Sequence, residues 1–305
     1  MRVLVSGAGG FVGSALVEAL AGRHEVVALD RDCSGVRGAR TIEGDIASLE
    51  VQAAAAAGGV DALIHLATIP GGASEQDPAR GWHVNVDATA GLIDAVLQTS
   101  ERPKVLFASS IAALGDSLPE IVDDETPLLP RMLYGAHKRM IEEWIAALTR
   151  RGAIRGLSLR LSGIVARPAA PSGMISAFMS DVFHAALANA PVVVPISPGA
   201  TMWLMSVRQV AANFVHALEA DLPAAEPHAL NLPAIRTSMA ELAAEIARQV
   251  GCDPALVRYH PQPAVEAAFG RYPSLRTARA DARGFSHDGS LEQLVRTTLD
   301  QIGRG

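Results

Sequence analysis

Short runs of β-branched and apolar residues alternate with longer amphipathic stretches through the first half of the chain. Residues 3–5, 25–29, 41–43, 62–65, 104–108 and 157–161 read as strands. Residues 11–21, 48–57, 80–98 and 134–149 read as the helices between them. Such regular alternation predicts an α/β fold, a doubly wound parallel sheet covered by helices on both faces. After about residue 165 the rhythm changes. Arg167-Pro168-Ala169-Ala170-Pro171-Ser172-Gly173 has the composition of a loop between lobes. Beyond it the pattern predicts helices at 175–187, 207–219, 238–250 and 291–302, with strands at 192–194 and near 229–232. These form a smaller C-terminal α+β lobe.

Composition narrows the class. The chain has 305 residues, of which 49% are hydrophobic and 19% charged, enough apolar surface for a substantial core. A net charge of −6 with scattered basic residues offers no nucleic-acid footprint. Two isolated cysteines, Cys33 and Cys252, make neither a disulfide framework nor a metal site, and they suit a reducing compartment. The longest uncharged apolar run, 185–196, is interrupted by Asn189, Pro191 and Pro195 and is too short to span a bilayer. The expectation is a cytoplasmic protein with no membrane, nucleic-acid or metal partner.

The stretch Tyr134-Gly135-Ala136-His137-Lys138 stands out for its chemistry. A phenol and an ammonium four residues apart share one helix face. Only two of the 26 basic side chains are lysines, Lys104 and Lys138. Lysine is a compact point charge able to lower a neighbour's pKa, a task for which arginine's planar fork is poorly shaped. An amphipathic helix with a solvated charge would show the same spacing. His137 and Arg139 face other directions and receive no role.

A second signal lies at the first strand's end. Ser6 is followed by Gly7-Ala8-Gly9-Gly10-Phe11-Val12-Gly13, a glycine-rich turn opening a helix, which makes an anion site for a pyrophosphate. Gly7, Gly10, Phe11, Val12 and Gly13 are the expected contacts, in the spacing G-x-x-G-x-x-G. Asp30 ends the second strand, where a carboxylate binds adenosine ribose hydroxyls and repels a 2′-phosphate, favouring NAD. Arg31 follows and could accept that phosphate. Asp45 and Ile46 follow the third strand, set to bond and pack the adenine, although Asp45 reads equally as a helix cap beside Ser48. Leu66, Ala67 and Thr68 follow the fourth strand and allow close approach of a cofactor. His65 reads as a packed strand residue, and Asn85 as a polar brace or a solvated helix position. Together these predict a Rossmann-type NAD-binding domain over 1–165, with 207–232 packing back on it, and a substrate-binding lobe over 166–305.

Taken together, the motifs resemble the extended short-chain dehydrogenase/reductase family, the NAD-dependent epimerase/dehydratase group. Gly7, Gly10, Gly13, Asp30, His65-Leu66-Ala67 and Asn85 match its pattern. So does Ser109-Ser110-Ile111-Ala112-Ala113-Leu114-Gly115, with Leu114 where an aromatic is common, and so do Glu125-Thr126-Pro127 and Pro130. The downstream half is similar to the D-erythronate dehydrogenase branch, through Arg160-Leu161, Arg167-Pro168, Pro171-Ser172, the run Trp203 to Arg208, and Asn231-Leu232-Pro233. Two departures, Met202, Leu204 and Met205 in a segment bearing histidine in that branch and Ser172 in place of an asparagine, point to a less polar pocket.

The resemblance implies an NAD-dependent oxidoreductase acting on a small polyhydroxy acid or related alcohol through catalytic Ser110, Tyr134 and Lys138. Tyr134 and Lys138 also hold the cofactor, and Leu161, Gly163 and Ile164 line the nicotinamide pocket. Ser110, Ser172, Met174, Trp203 and Arg208 are the substrate candidates. Arg208 would anchor a carboxylate or else pair with an acid, and Trp203 would line the pocket or the core. A homodimer is expected. The alternatives are a nucleotide-sugar 4-epimerase with tightly held NAD, which the absence of Lys or Arg between 173 and 206 disfavours, and a cofactor-sensing binding protein without turnover, which would be expected to lack the Tyr/Lys pair.

Overall fold

The computed structural model describes residues 1–168, 175–221 and 228–303. Contacts divide it into two compact units. The first comprises Met1–Gly115, Leu128–Leu161 and Ala211–Asn231. Its centre is a sheet of seven strands: β1 (Arg2–Ser6), β2 (Glu25–Asp30), β3 (Arg40–Glu43), β4 (Ala62–His65), β5 (Lys104–Ser110), β6 (Arg155–Leu161) and β7 (Ala229–Asn231). Their spatial order is β7-β6-β5-β4-β1-β2-β3, with every pairing parallel. Chain order reverses between β1 and β4, and open α/β sheets bind ligands beyond the carboxyl ends of such strands.

Helices of this unit include α1 (Phe11–Leu20), α2 (Leu49–Ala56), α3 (Thr89–Thr99) and α4 (Leu133–Arg150). Leu4, Val27, Leu63, Val105 and Phe107 from the strands form one core with Ala55, Leu92, Val96, Ile141 and Ile145 from the helices. Strands buried on both faces read as continuous apolar runs, which is why their positions were plain in the sequence.

The stretch expected as one helix over 80–98 is built differently. Asp77 accepts a hydrogen bond from the Arg80 N–H and starts a helix at Pro78–Trp82, which widens into a π-helical turn at His83–Ala88 before α3. A short helix, Gly71–Gln76, precedes it and had no counterpart in the pattern.

The second unit comprises Asp116–Pro127, Ser162–Val210 and Leu232–Gly305. Thr201–Ser206 is the middle strand of three, antiparallel to Ile235–Ser238 and parallel to Gly163–Val165. Phe178, Phe183, Met202, Leu204, Leu242, Ile246 and Leu294 are among its core residues. Helix Met239–Val250 begins at a capping box of Ser238 and Glu241 and ends at left-handed Gly251. Where the sequence suggested a break near residue 165, contacts divide the chain between Leu161 and Ser162. They also group 116–127 with the second unit, because Ile121–Val122 pairs with Ser274–Leu275.

One of the two lysines has a structural task. Lys104 Nζ donates to the carbonyls of Ala217 (3.1 Å), Leu218 (2.7 Å) and Ala220 (3.1 Å) at the end of α5 (Val207–Glu219). Three donors on one compact cation meet three carbonyls left open by the helix end. Lys104→Met is expected to lower the unfolding free energy by about 2 kcal/mol, read from urea denaturation. Among the described residues no helix is long and apolar enough to cross a membrane, and no group of His, Cys, Asp or Glu is placed to hold a metal.

Candidate active site

The glycine-rich turn joins β1 to α1 in the first unit. Gly10 is the N-cap of α1 and supplies no side-chain cap, and a helix start of this kind is a favourable place for an anion. Phe11 and Val12 are half-buried in that turn, and Gly13 is buried. Gly9 is a position the sequence reading passed over. A Cβ there would lie 1.9 Å from the Asp32 carbonyl oxygen, so only glycine lets the turn close against the chain after β2. The signal was available as the Gly9-Gly10 pair. Asp30 holds this approach: one carboxylate oxygen accepts from Gly9 N–H (2.9 Å) and the other from Arg31 N–H (2.7 Å). The Arg31 side chain is exposed.

The neighbouring walls sort into contacts and braces. Asp45 is exposed and accepts from Ala47 N–H (2.9 Å), while Ser48 caps α2, so the capping task falls to the serine. Ile46 is buried in the core, which leaves it little surface for a ring to pack on. Leu66, Ala67 and Thr68 are half-exposed beyond β4. Asn85 is buried, and its amide is spent on the loop: Oδ1 accepts from Ile69 N–H (2.7 Å) and the Thr68 hydroxyl (3.0 Å), and Nδ2 donates to Ile69 O (3.0 Å) and Ser74 Oγ (3.2 Å). It is a brace and not a solvated position. His65 is packed between Ser6 Oγ (2.6 Å) and Thr89 Oγ1 (2.9 Å), and burial lowers its pKa to about 3. It is neutral at physiological pH.

Ser110, Tyr134 and Lys138 sit on two adjoining pieces of the first unit. Ser110 ends β5, where its Oγ accepts from Ala112 N–H (3.1 Å) and so starts the short turn Ile111–Leu114. Helix α4 packs directly on that turn. A Cβ at Gly135 would come within 2.3 Å of the Ala112 carbonyl oxygen, so a glycine beside Tyr134 sets how near the tyrosine helix comes to the serine. Lys138 is buried one turn on. Its Nζ donates to Ala108 O (2.8 Å) and lies 4.6 Å from the centroid of the Phe107 ring and 5.4 Å from that of Tyr134. Burial pushes its pKa down to about 7, and the carboxylate of Glu142 works in the opposite direction. His137 is buried edge-on to Trp82, with its pKa lowered by burial.

The remaining candidates divide. Leu161 is buried at the end of β6. Within the second unit, Gly163 and Ile164 are half-buried on their strand, and Arg208 is exposed with no ion-pair partner among the described residues. Trp203 is buried, which leaves it little surface to offer a substrate. It is 1% exposed, tilts against Tyr272 at 4.8 Å and donates its indole N–H to Pro273 O (2.8 Å), because its strand is the middle one of three. Ser172 and Met174 lie outside the described residues.

With this geometry in place, similarity to known proteins is informative. D-erythronate dehydrogenase of Cupriavidus necator is 31% identical over 321 residues, covering 99% of each chain. The enzyme of the same name from Haemophilus influenzae is 30% identical over 79% of this chain and 77% of its own. The crystal structure of a nucleoside-diphosphate-sugar epimerase from Agrobacterium tumefaciens superposes with a TM-score of 0.87 at 26% identity, covering all of this chain and 95% of that one. The model of the NAD dependent epimerase/dehydratase family matches residues 3–232, the span that carries the glycine turn, Ser110, Tyr134 and Lys138. This chain is therefore an enzyme of the NAD dependent epimerase/dehydratase family.

Proposed function

We propose that the enzyme is an NAD-dependent dehydrogenase of a small polyhydroxy acid resembling D-erythronate, or of a related alcohol. The carrying observation is the buried Lys138 Nζ held at Ala108 O beside the Tyr134 ring. The uncapped start of α1 and the Gly9–Asp30 clasp suit a dinucleotide pyrophosphate and an adenosine ribose. When bound, NAD supplies the hydride acceptor. Tyr134 takes the substrate hydroxyl proton as that hydride leaves. A tyrosine of ordinary pKa near 10 is a weak base at neutral pH, and a cation next to it favours the phenolate. Ser110 Oγ already accepts one N–H, which leaves its own proton to orient the substrate oxygen and stabilise charge developing there.

Asp30 carries the preference for NAD over its 2′-phosphorylated form. Asp30→Ala removes the repelling charge and frees Gly9 N–H, so NAD affinity is expected to fall roughly tenfold or more while the preference over NADP narrows. Tryptophan fluorescence titration with both nucleotides reads this. A wild-type preference for NADP would give the decision to Arg31.

The function itself is tested by screening D-erythronate, other sugar acids, polyols and UDP-sugars for NADH formation. A dehydrogenase releases NADH in proportion to oxidised product. Protein that retains NAD through desalting and interconverts UDP-sugars without net NADH is an epimerase instead. Leu133, Met140 and Trp144 lie exposed on α4 at spacings that form one stripe, and this supports a homodimer, which light scattering of the purified protein checks. Cys33 and Cys252 are both free, in keeping with a reducing cytoplasm.

A further inference from the structure

Two turns beyond Tyr134 and one beyond Lys138, helix α4 places a second titratable residue on the inward side. Glu142 is 3% exposed. Arg160 of β6 grips it with two nitrogens, Nε to Oε1 at 2.9 Å and Nη2 to Oε2 at 2.7 Å. Ser109 of β5 donates its hydroxyl to Oε1, and Arg160 Nη1 donates to Asn231 Oδ1 of β7 at 3.3 Å. Ser109 and Arg160 are direct neighbours across the β5–β6 ladder, so one carboxylate ties α4 to both strands at the level of Ser110.

A buried ion pair is a poor way to gain stability. Desolvating both charges cancels most of their attraction, and apolar residues of like volume usually serve the fold as well or better. The position of this pair relative to the Tyr–Lys pair is what singles it out. The groups facing Lys138 are Tyr134, His137 and Glu142 on its own helix, neutral His65 from β4, the Phe107 ring and Ala108 O from β5, and Arg160 from β6 behind Glu142. Among the described residues Glu142 is the carboxylate that opposes the effect of burial on Lys138, while Glu75 of the Gly71–Gln76 helix accepts from Tyr134 N–H (3.4 Å) and acts on His137.

We propose that Glu142 is a positioning residue of the Ser110–Tyr134–Lys138 site: shared between Arg160 and Ser109, its carboxylate locks the tyrosine helix against the serine strand and sets the electrostatic surroundings of Lys138 Nζ. The proposal rests on the dehydrogenase reading, since it concerns how that reading's base is supported. Glu142 touches neither substrate nor cofactor in this scheme and acts through its neighbours.

The test follows Lys138 itself. With only two lysines in the chain, protein labelled with 15N-lysine gives two side-chain Nζ signals, assigned by Lys104→Met and Lys138→Met. Glu142→Gln is expected to lower the titration midpoint of Lys138 by about one pH unit and leave that of Lys104 unchanged. Because this variant strands Arg160 without its counter-charge and endangers the fold, Glu142→Leu/Arg160→Met is measured beside it. The apolar pair is expected to fold as well as wild type and still lower the Lys138 midpoint by about half a pH unit. A folded variant in which Lys138 titrates as in wild type overturns the proposal and leaves Glu142 as a brace of the fold. The titration needs neither substrate nor cofactor. Failure of the dehydrogenase reading is seen separately, as no NADH from any sugar acid or polyol.

Discussion

Tyr134→Phe is expected to lower kcat by about a thousandfold and to change NAD affinity less than threefold, the range for loss of a positioned general base. Only the phenolic hydroxyl, which carries the transferable proton, is removed. The ring keeps its place against Gly71, where a Cβ would lie 3.7 Å from Tyr134 Cδ1, and Lys138 keeps its bond to Ala108 O. The loss should appear equally in kcat and in kcat/KM, as it does when an interaction made only in the transition state is deleted. The measurement is steady-state NADH formation with whichever substrate the screen identifies, beside a fluorescence titration with NAD. Retention of more than about a tenth of wild-type turnover would remove Tyr134 from the chemistry.

Lys138→Met separates function from stability, and the two should move in opposite directions. Activity in alcohol oxidation is expected to fall about a hundredfold at neutral pH and saturating NAD. Its rise with pH should shift upward, because the phenol has lost the cation that favours its ionised form. A pH profile unchanged by the substitution would mean that the lysine only holds cofactor.

Stability of the cofactor-free protein should rise. Burial lowers Lys138 from 10.5 to about 7, so above 10.5 both folded and unfolded states are neutral and the lysine costs nothing. As pH falls from 10.5 toward 7 the unfolded chain takes up the proton and the folded chain does not, so folding is weakened through that window and by the full amount below 7. Methionine removes this penalty and gives up the bond to Ala108 O, for a net gain of about 1–3 kcal/mol near pH 7 that disappears toward pH 10.5. Urea unfolding at both ends of the window checks the sign.

Arg160 and Glu142 show where a reading of the sequence stops. Lys138 and Glu142 are four residues apart, a spacing that describes an ordinary surface ion pair on a solvated helix. The actual partner of Glu142 is 18 residues away and the serine that shares it is 33 away. Lys104 makes the same point from the other side. The scarcity of lysine marked both positions, yet one caps a helix end 113 residues on and the other lies beside the tyrosine. Scarcity identified where a compact cation is needed and was silent on the reason.

The features legible from residue order were local and periodic. The β–α alternation, the glycine turn between β1 and α1, and the shared face of Tyr134 and Lys138 follow from steric limits on φ and ψ and from the 3.6-residue helical repeat, which act within a few residues. Helices 207–219 and 291–302 were legible to the residue for the same reason. Packing between distant segments settled the rest. It gave the carboxylate of Asp30 to Gly9, spent the amide of Asn85 on the loop at Ile69, placed Trp203 in a core, and paired 121–122 with 274–275. It also buried Lys138, and with that its pKa. Spacing along a chain states which side chains share a face. Burial and charge depend on what is packed against that face, and here those neighbours come from segments tens to more than a hundred residues away.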